Sequence, residues 1–432
     1  MNHWKETAEI LARLAELKAA GRRAALATVV EIVGSAYRRP GAKLLIEEAG
    51  GTLGSVSGGC LEADVREVAQ AVVDSGVPSL RHYNTGDDDV VWGLGLGCNG
   101  LVDVFVQPAT EGPLAALAGR LGELFAGEAA LALATVLAPR DPGEPGDAGD
   151  AGNGLEGAQV GAMLAVELRD AGQVGGDPPA PGPRQSGERA NGRAAGDGGK
   201  AAGGGSAAPV PKLGGGMAQQ RPAGFVHGSL GAPALDRQVA ERVRGLVAAG
   251  RSGVQEIAGR RVFVDMLPPP PHLVICGAGD DARPLVAYAA DVGFRVTLVD
   301  HRPALLAPEW FPQAARRVVA RPEDPDLVLP AAERALAVVK THSLAHDREW
   351  VRRLLAAGYP YVGVLGPRGR TEAILRDVHG SEREGVFGPV GLDLGADGPR
   401  QVAISIVAEL LAFTAQREPR HLSARREAIH AG

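Results

Sequence analysis

The sequence predicts an α/β protein with a small N-terminal α/β domain and a C-terminal, Rossmann-like, doubly wound parallel sheet. In the first quarter of the chain, β-branched runs alternate with glycine-containing turns, and from Pro268 onward apolar strands alternate with amphipathic helices. A chain of 432 residues is long enough for two or three domains. We place an N-terminal domain at 1–110, a connecting region at 111–265, the Rossmann-like domain at 266–416 and a tail at 417–432.

The N-terminal domain is predicted to open with a helix over residues 4–20, where apolar residues recur at intervals of three and four. Strands follow at 24–33, in AKLLIE and in the run LVDVFVQ from Leu101, with glycine turns between them. A second helical pattern begins just after Cys60, which places this cysteine at or next to a helix start. These elements form a small sheet with helices.

The segment 141–224 holds 23 of the 61 glycines and reads as a linker or insertion. Its most biased part, 172–216, has almost no branched or aromatic side chains, so we expect it to be disordered. Folded pieces flank it: the runs LALATV and VGAMLAVEL before it, and a helix near 235–249 after it. No motif repeats at the period of a solenoid.

The Rossmann-like domain is predicted as the strands HLVICGAG, FRVTLVDHRP, RRVVA, ALAVVKTHS and YVGVLGPRGR with helices between them, including a connecting helix before RRVVA and a helix near 346–357. Such sheets bind ligands at the carboxyl ends of their strands. The informative loops are therefore those after Cys276, Val299, Lys340 and Leu365.

Composition excludes several functions. Lys and Arg number 45 against 51 Asp and Glu, so the net charge of −6 provides no basic field for nucleic acid or an anionic membrane. No apolar stretch of membrane-spanning length and no export signal is readable. The three cysteines are too widely spaced for a CxxC metal site. We expect a cytoplasmic protein.

The run GAGDDA, between an apolar strand and a helix, has the layout of a dinucleotide fingerprint. The residues with its roles are Gly277 for the turn, Gly279 for close approach to a phosphate, Ala282 for helix packing and Asp300 for a ribose hydroxyl. This pattern favours NAD(P). However, Asp280 and Asp281 add negative charge where a pyrophosphate needs positive potential, so a Rossmann domain with another ligand is the alternative.

Two motifs of the N-terminal domain point to a ligand. The loop GSAYRRPGAKLL gathers Arg38, Arg39 and Lys43, which could clamp a phosphate or form an ordinary solvated turn. The segment GSVSGGCLEADV places Cys60 behind Gly58 and Gly59 at a helix start, where the helix dipole stabilises a thiolate. The alternative for Cys60 is a small buried residue.

The remaining candidate residues give weaker indications of a functional site. Cys98 lies among close glycines in GLGLGCNG, and Cys276 lies inside an apolar strand, where we expect a core residue. His342 and His346 have the spacing of paired ligands, but exposed histidines beside a helix cap are the simpler interpretation. Whether a metal is bound therefore stays open.

Taken together, GSAYRRPGAKLLI, GSVSGGCLEADV, GLGLGCNGLVDV, PPPPHLVICGAGDDARPL, VTLVDHRP, YVGVLGPRGR and PVGLDLGADGPRQVAISIVAEL resemble the XdhC/CoxI family of xanthine dehydrogenase accessory proteins. The resemblance covers the chain to about residue 107 and nearly all of 230–416. The family often has His where this chain has Asp280, which changes the charge at the glycine-rich loop.

The resemblance implies an accessory protein rather than a catalyst. Such a protein holds molybdenum cofactor (molybdopterin) transiently, supports its sulfuration and delivers it to a molybdenum hydroxylase such as xanthine dehydrogenase. It further implies cofactor contact at Cys60, with Cys98 as a second candidate, and contacts of Arg38, Arg39 and Lys43 to the phosphate or the pterin edge. The implied partners are the hydroxylase apo-enzyme and a cysteine desulfurase, and a homodimer stays open. The alternatives are an NAD(P)-dependent oxidoreductase and a scaffold without a cofactor.

Overall fold

The structure is a computed structural model that describes residues 2–34, 36–84, 100–126, 130–138, 158–168, 226–246, 251–377 and 385–425. The predicted disordered stretch 172–216 and Cys98 lie outside the described residues. Within the described ranges, no helix is both long enough and apolar enough to cross a membrane.

The first folded unit, residues 2–108, is a five-stranded antiparallel sheet with two helices. Its elements are α1 (Asn2–Ala19), β1 (Ala24–Gly34), β2 (Lys43–Glu47), β3 (Thr52–Gly54), α2 (Glu62–Ser75), β4 (Ser79–Asn84) and β5 (Gly100–Pro108). The predicted opening helix and three strands, β1, β2 and β5, are confirmed, and β3 and β4 are additional strands. Val65 and Val72 of α2 pack against Ala27 and Val104 on one face of the sheet.

Nearly all of the connecting region belongs to a second unit, residues 112–267, which also has a five-stranded antiparallel sheet and two helices. Its elements are α3 (Gly112–Ala126), β6 (Ala130–Val136), β7 (Met163–Leu168), β8 (Val226–Ser229), α4 (Pro233–Leu246), β9 (Gly253–Ile257) and β10 (Arg260–Leu267). The folded pieces predicted on either side of the glycine-rich stretch are all present.

The two units share one topology. The strand orders are β3-β2-β1-β5-β4 and β8-β7-β6-β10-β9, and the helices occupy the same places in the chain order. The sequence ALATV occurs at 25–29 in β1 and again at 132–136 in β6. Matching backbone bonds join Gly41 N–H to Val29 O and Val29 N–H to Ala42 O in the first unit, and Gly161 N–H to Val136 O and Val136 N–H to Ala162 O in the second. The chain therefore contains an internal structural repeat.

The two units pack against each other through the helices that open them. Leu14 of α1 and Leu121 of α3 share a core with Leu26 of β1 and Leu133 of β6. Burial of these large side chains contributes about 2 kcal/mol each, which makes this shared core a principal source of stability.

The third unit is a six-stranded parallel sheet with helices packed on both faces. Its elements are β11 (His272–Cys276), α5 (Ala282–Asp291), β12 (Arg295–Asp300), β13 (Arg316–Val319), β14 (Ala335–Val339), α6 (Leu344–Ala356), β15 (Val362–Val364), α7 (Arg368–Ile374), β16 (Val386–Phe387) and α8 (Pro399–Thr414). The order β13-β12-β11-β14-β15-β16 reverses between β11 and β14, as in a Rossmann domain. The predicted fold class is confirmed.

One predicted element is wrong. No α-helix connects β12 to β13, because this segment, which the structure describes throughout, forms only a short 3-10 helix over Pro303–Leu306. Pro303, Pro308 and Pro312 recur too closely for an α-helix, since each proline removes a backbone donor.

Candidate functional site

The loop between β3 and α2 is organised by Glu62. Its carboxylate accepts hydrogen bonds from the Ser57 amide at 2.9 Å, the Ser55 hydroxyl at 3.0 Å and the Ser57 hydroxyl. The Ser57 oxygen in turn accepts the amides of Gly59 and Leu61, both at 3.1 Å. Burial would raise the pKa of Glu62, but the bonds from Ser57 and Ser55 outweigh it and lower that pKa. The ionised carboxylate of Glu62 therefore holds this loop in place.

The glycine turn of this loop is open to solvent. Gly58 and Gly59 are exposed, and Cys60 is a half-buried free thiol. Gly59 has φ +111°, and a Cβ added there would meet open space. Glycine is thus required at 59 by the backbone rather than by a neighbour. The structure confirms that Cys60 stands next to a helix start, because α2 begins at Glu62.

Tyr37 joins the basic loop to this glycine turn. A Cβ placed on Gly58 would lie 3.6 Å from Tyr37 Cγ and 3.7 and 3.9 Å from its two Cδ atoms, so the ring turns its face toward the glycine. Tyr37 nevertheless remains 72% exposed. An aromatic ring therefore lies on the surface against a glycine that precedes the free thiol by two residues.

One of the three predicted basic residues, Arg38, is linked to this loop. Arg38 forms an ion pair with Glu6 of α1, and Glu6 also accepts the Ser55 amide at 3.2 Å. This bond connects the basic loop to the base of the cysteine loop. Arg39 is exposed.

Lys43 is placed differently from the prediction of a common basic loop. It is buried at the interface of the two repeat units, where its ammonium donates to Asp265 of β10 at 2.5 Å and to the Gly41 carbonyl at 2.9 Å. Lys43 begins β2, whose residues are all buried, so its side chain is carried into the interior. Binding of a phosphate by Lys43 would require this pair to break.

The two cysteines among the described residues differ in burial. Cys276 is fully buried in β11, and this burial raises its pKa well above the ordinary thiol value. The predicted core placement of Cys276 is thereby confirmed by geometry. Cys60 is the described thiol with access to solvent.

The glycine-rich loop of the Rossmann domain lies where the strand order reverses. Gly277 has φ +118°, and a Cβ there would lie 2.4 Å from the Lys340 carbonyl. Ala282 is fully buried in the core under α5, as the fingerprint predicts. A Cβ on Gly279 would lie 2.8 Å from the Asp281 carboxylate. The loop thus has the close backbone packing of a dinucleotide-type turn.

Asp300 is bound within the protein. Its carboxylate accepts the Ala278 amide at 2.8 Å and pairs with Arg302 through two bonds of 2.9 Å. Burial opposes ionisation, yet the bonds from Arg302 and Ala278 lower the pKa of Asp300 to about 2. Its side chain is only 2% exposed, so it braces the glycine-rich loop in this conformation. Contact with a ribose stays a prediction.

The two carboxylates after this loop do not act as unpaired negative charges. Asp281 accepts a hydrogen bond from the buried ammonium of Lys340 at 2.6 Å, and Asp280 pairs with Arg283 at 2.9 Å. Burial lowers the pKa of Lys340, and the pair with Asp281 opposes that shift. The sequence-based argument that these aspartates repel a pyrophosphate is therefore weakened by their cationic partners.

The histidines form no metal site with the other described side chains. The His346 amide donates to Ser343, the N-cap of α6, at 3.4 Å. Its ring packs on His301 with centroids 4.9 Å apart. Across the described ranges, no three His, Cys, Asp or Glu side chains gather as metal ligands.

Sequence reasoning missed Ser57, Glu62, Tyr37 and Lys340. A serine pair followed by an acid at a helix start could have predicted the Glu62 bonds, since such residues cap helices. Tyr37 and Lys340 gave no pattern, because their roles depend on contacts between separate loops.

Comparison with known proteins places these two regions in one family. A model described as the XdhC and CoxI family matches residues 17–84, and a model described as the XdhC Rossmann domain matches residues 273–410. The first match contains the cysteine loop, and the second contains the glycine-rich loop.

Two relatives of known sequence match this chain, and one of them matches it over almost its whole length. It is 27% identical, over 90% of its length and 92% of the relative's, to a probable xanthine dehydrogenase subunit of Bacillus subtilis. It is 30% identical to the uncharacterized protein YqeB of Escherichia coli over 35% of this chain and 28% of that one.

A solved structure supports the same relationship. The crystal structure of a xanthine dehydrogenase from Bacillus halodurans matches with a TM-score of 0.64 and 25% identity, over 99% of this chain and 98% of that one. Both loops described above thus lie in regions matched by family models. The chain belongs to the XdhC and CoxI family.

Proposed function

We propose that this protein is a maturation factor that binds molybdenum cofactor at the Cys60 loop and delivers it to a molybdenum hydroxylase such as xanthine dehydrogenase. Family membership implies a role in the maturation of xanthine dehydrogenase. The observation that carries the cofactor proposal is the exposed Gly58-Gly59 turn, which is followed by a free thiol and faces Tyr37 of the loop that carries Arg38 and Arg39.

The residues at this turn fit the chemistry of the cofactor. A phosphate is matched by guanidinium groups, a planar pterin by an exposed ring or bare backbone, and a molybdenum centre by a thiol. The basic loop and the adjoining glycine turn supply these groups: Tyr37, Arg38 and Arg39 come from the first, and Gly59 and Cys60 come from the second. When bound, the cofactor would supply the molybdenum centre that the recipient hydroxylase uses.

Sulfuration is the second part of the proposal. A cysteine desulfurase is the proposed sulfur donor, and the hydroxylase apo-enzyme is the proposed recipient. The role of this chain is to hold the cofactor and shield it during both encounters. The exposed position of the turn supports this role, because a partner can approach it without unfolding the unit.

The test is cofactor retention by cysteine variants. The protein is incubated with molybdenum cofactor, free ligand is removed, and pterin per chain is quantified together with activation of a partner hydroxylase. Cys60→Ala should lose cofactor while its circular dichroism is unchanged. Cys276→Ala is the matched control; it should keep cofactor at a cost of about 1 kcal/mol of stability. Full retention by Cys60→Ala would make its thiol structural.

A second candidate function is NAD(P)-dependent oxidoreduction. The reversal of strand order beside Gly277 favours it, because dinucleotides bind at this point of such sheets. The ligand retained on purification separates the candidates: a pterin supports the maturation factor, and a nicotinamide nucleotide supports the oxidoreductase. Absence of both would support a scaffold that only brings partner proteins together.

A further inference from the structure

We propose that Tyr37 is a stacking platform for the pterin ring of the cofactor. This inference rests on the proposed function and adds a ligand-contacting residue to it. It assigns the planar part of the ligand to one side chain, next to the thiol and the guanidinium groups.

One face of the Tyr37 ring is turned toward Gly58. Three of its atoms lie within 3.6 to 3.9 Å of the position that a Gly58 Cβ would take, so the glycine leaves space of about one methyl group under the ring. The exposed backbone at 58 and 59 leaves room for this arrangement. A ring confined on one side loses less conformational freedom when a ligand binds, which favours binding.

The outer side of the ring faces solvent, because Tyr37 remains 72% exposed. A flat ring with one face toward the turn and the other open can accept a planar heterocycle by offset stacking. Nucleic-acid-binding proteins use the same arrangement to hold bases. Pterin is a bicyclic ring of similar size and polarity to a purine.

Groups that could contact the rest of the cofactor lie close to this ring in the chain or in the adjoining turn. Arg38 and Arg39 follow Tyr37 directly in the chain, and Arg38 is fixed by its ion pair with Glu6. Cys60 lies two residues after Gly58, toward which the ring is turned. A ligand that joins a planar ring to a phosphate and to a metal-binding sulfur group matches this set of side chains.

The experiment measures binding of a pterin that has neither metal nor phosphate. Pterin-6-carboxylate, which is fluorescent, is titrated with the full-length protein and followed by quenching and by equilibrium dialysis. Tyr37→Leu should weaken binding about tenfold, the size expected for loss of one ring stack. Tyr37→Phe should bind like the unchanged protein, because the ring is kept.

Trp310→Leu serves as the matched control. Trp310 is a partly exposed aromatic residue of the Rossmann domain whose ring packs against Arg283, and its replacement should leave pterin binding unchanged. Circular dichroism checks that each variant is folded.

The outcomes separate this inference from the proposed function. If the protein captures molybdenum cofactor but Tyr37→Leu binds pterin-6-carboxylate normally, or if the pterin does not bind at all, stacking on Tyr37 is wrong and the proposed function stands. If neither cofactor nor pterin binds, the proposed function fails and this inference fails with it. A loss in Tyr37→Leu that Tyr37→Phe does not share supports the platform.

Discussion

The two repeat units differ most informatively at the start of their second helix. In the first unit Ser55 and the Ser57 amide donate to Glu62. In the second unit Ser229 donates to Asp236 at 2.8 Å, again seven residues further on, and the Leu230 amide donates to the same carboxylate at 2.7 Å. The two units therefore use the same serine-to-acid brace.

The segment between the serine and the acid is helical to a different extent in the two units. In the second unit α4 begins at Pro233, ahead of its brace acid, whereas α2 begins only at Glu62. Proline is favoured in the first turn of a helix, while consecutive glycines disfavour helix. The Gly58-Gly59-Cys60 segment is thus an unwound first turn. The candidate site therefore lies where one of the two repeat units leaves the first turn of its second helix unwound.

The interface between the units shows a second difference. Gln107 of β5 donates to the Met163 sulfur of β7 at 3.6 Å, in the place that corresponds to the Asp265 and Lys43 pair. One side of the interface therefore holds an ion pair and the other holds a neutral contact. The ion pair is buried on both sides, so it depends on both partners being present.

The largest expected effect comes from replacing the Lys43 and Asp265 ion pair by the neutral residues found on the other side of the interface. Lys43→Met leaves the Asp265 carboxylate buried without its cation, which should lower the free energy of unfolding by about 3 kcal/mol. Adding Asp265→Gln copies the neutral contact and should restore stability to within about 1 kcal/mol of the unchanged protein. Urea unfolding of the single and double variants measures both values.

Failure of the double variant to recover would contradict this account. It would mean that Lys43 contributes through something other than its pair with Asp265. The Met163 and Gln107 contact provides the reference, since Gln107→Leu removes a weak neutral bond and should cost about 1 kcal/mol.

The Rossmann domain was far easier to predict than the repeat. Its apolar strands are buried on both faces and read as continuous runs, as in ALAVV of β14, so the order of its first five strands followed from the sequence. The repeat was missed because the connection between β2 and β3 is a short turn, whereas residues 169–225 separate β7 from β8. The short identity ALATV alone gives no period.

The candidate site was predictable only in part. Cys60 was found because glycines beside a helix start form a local pattern. Lys43 was misplaced because its partner Asp265 lies 222 residues away, and no local pattern reports that distance. Ion pairs between distant strands need the fold before they can be assigned.

A smaller effect is expected from the serines of the two braces. Ser57→Ala removes the acceptor of the Gly59 and Leu61 amides, which should cost about 1 kcal/mol and weaken cofactor retention several-fold. Ser229→Ala, in the second unit, should cost a similar or smaller amount of stability and leave retention unchanged. Urea unfolding and pterin quantification provide the two readings. Equal loss of cofactor in both variants would show that the brace acts through general stability.

The smallest expected effect is a pH dependence that Glu62 contributes. Its pKa is lowered in the folded protein from an ordinary value of 4.5, so the folded state favours the ionised carboxylate more than the unfolded chain does. The resulting stabilisation is complete above pH 4.5 and disappears as the pH falls through the lowered folded pKa. Glu62→Gln should therefore be less stable than the unchanged protein at pH 7, with the difference shrinking as the pH falls below 4.5 and through the lowered folded pKa.

Urea unfolding across this pH range measures that difference, and Glu67→Gln controls for the loss of an exposed charge on the same helix. Because Glu62 is only partly buried, the gain from its serine bonds is screened by solvent, which is why the effect ranks last. Other carboxylates with lowered pKa, such as Asp300, add their own acid sensitivity to both proteins and cancel in the comparison. A difference that stayed constant down to about pH 3 would show that Glu62 stabilises the loop by packing, and the account of a charged brace beneath Cys60 would have to be abandoned.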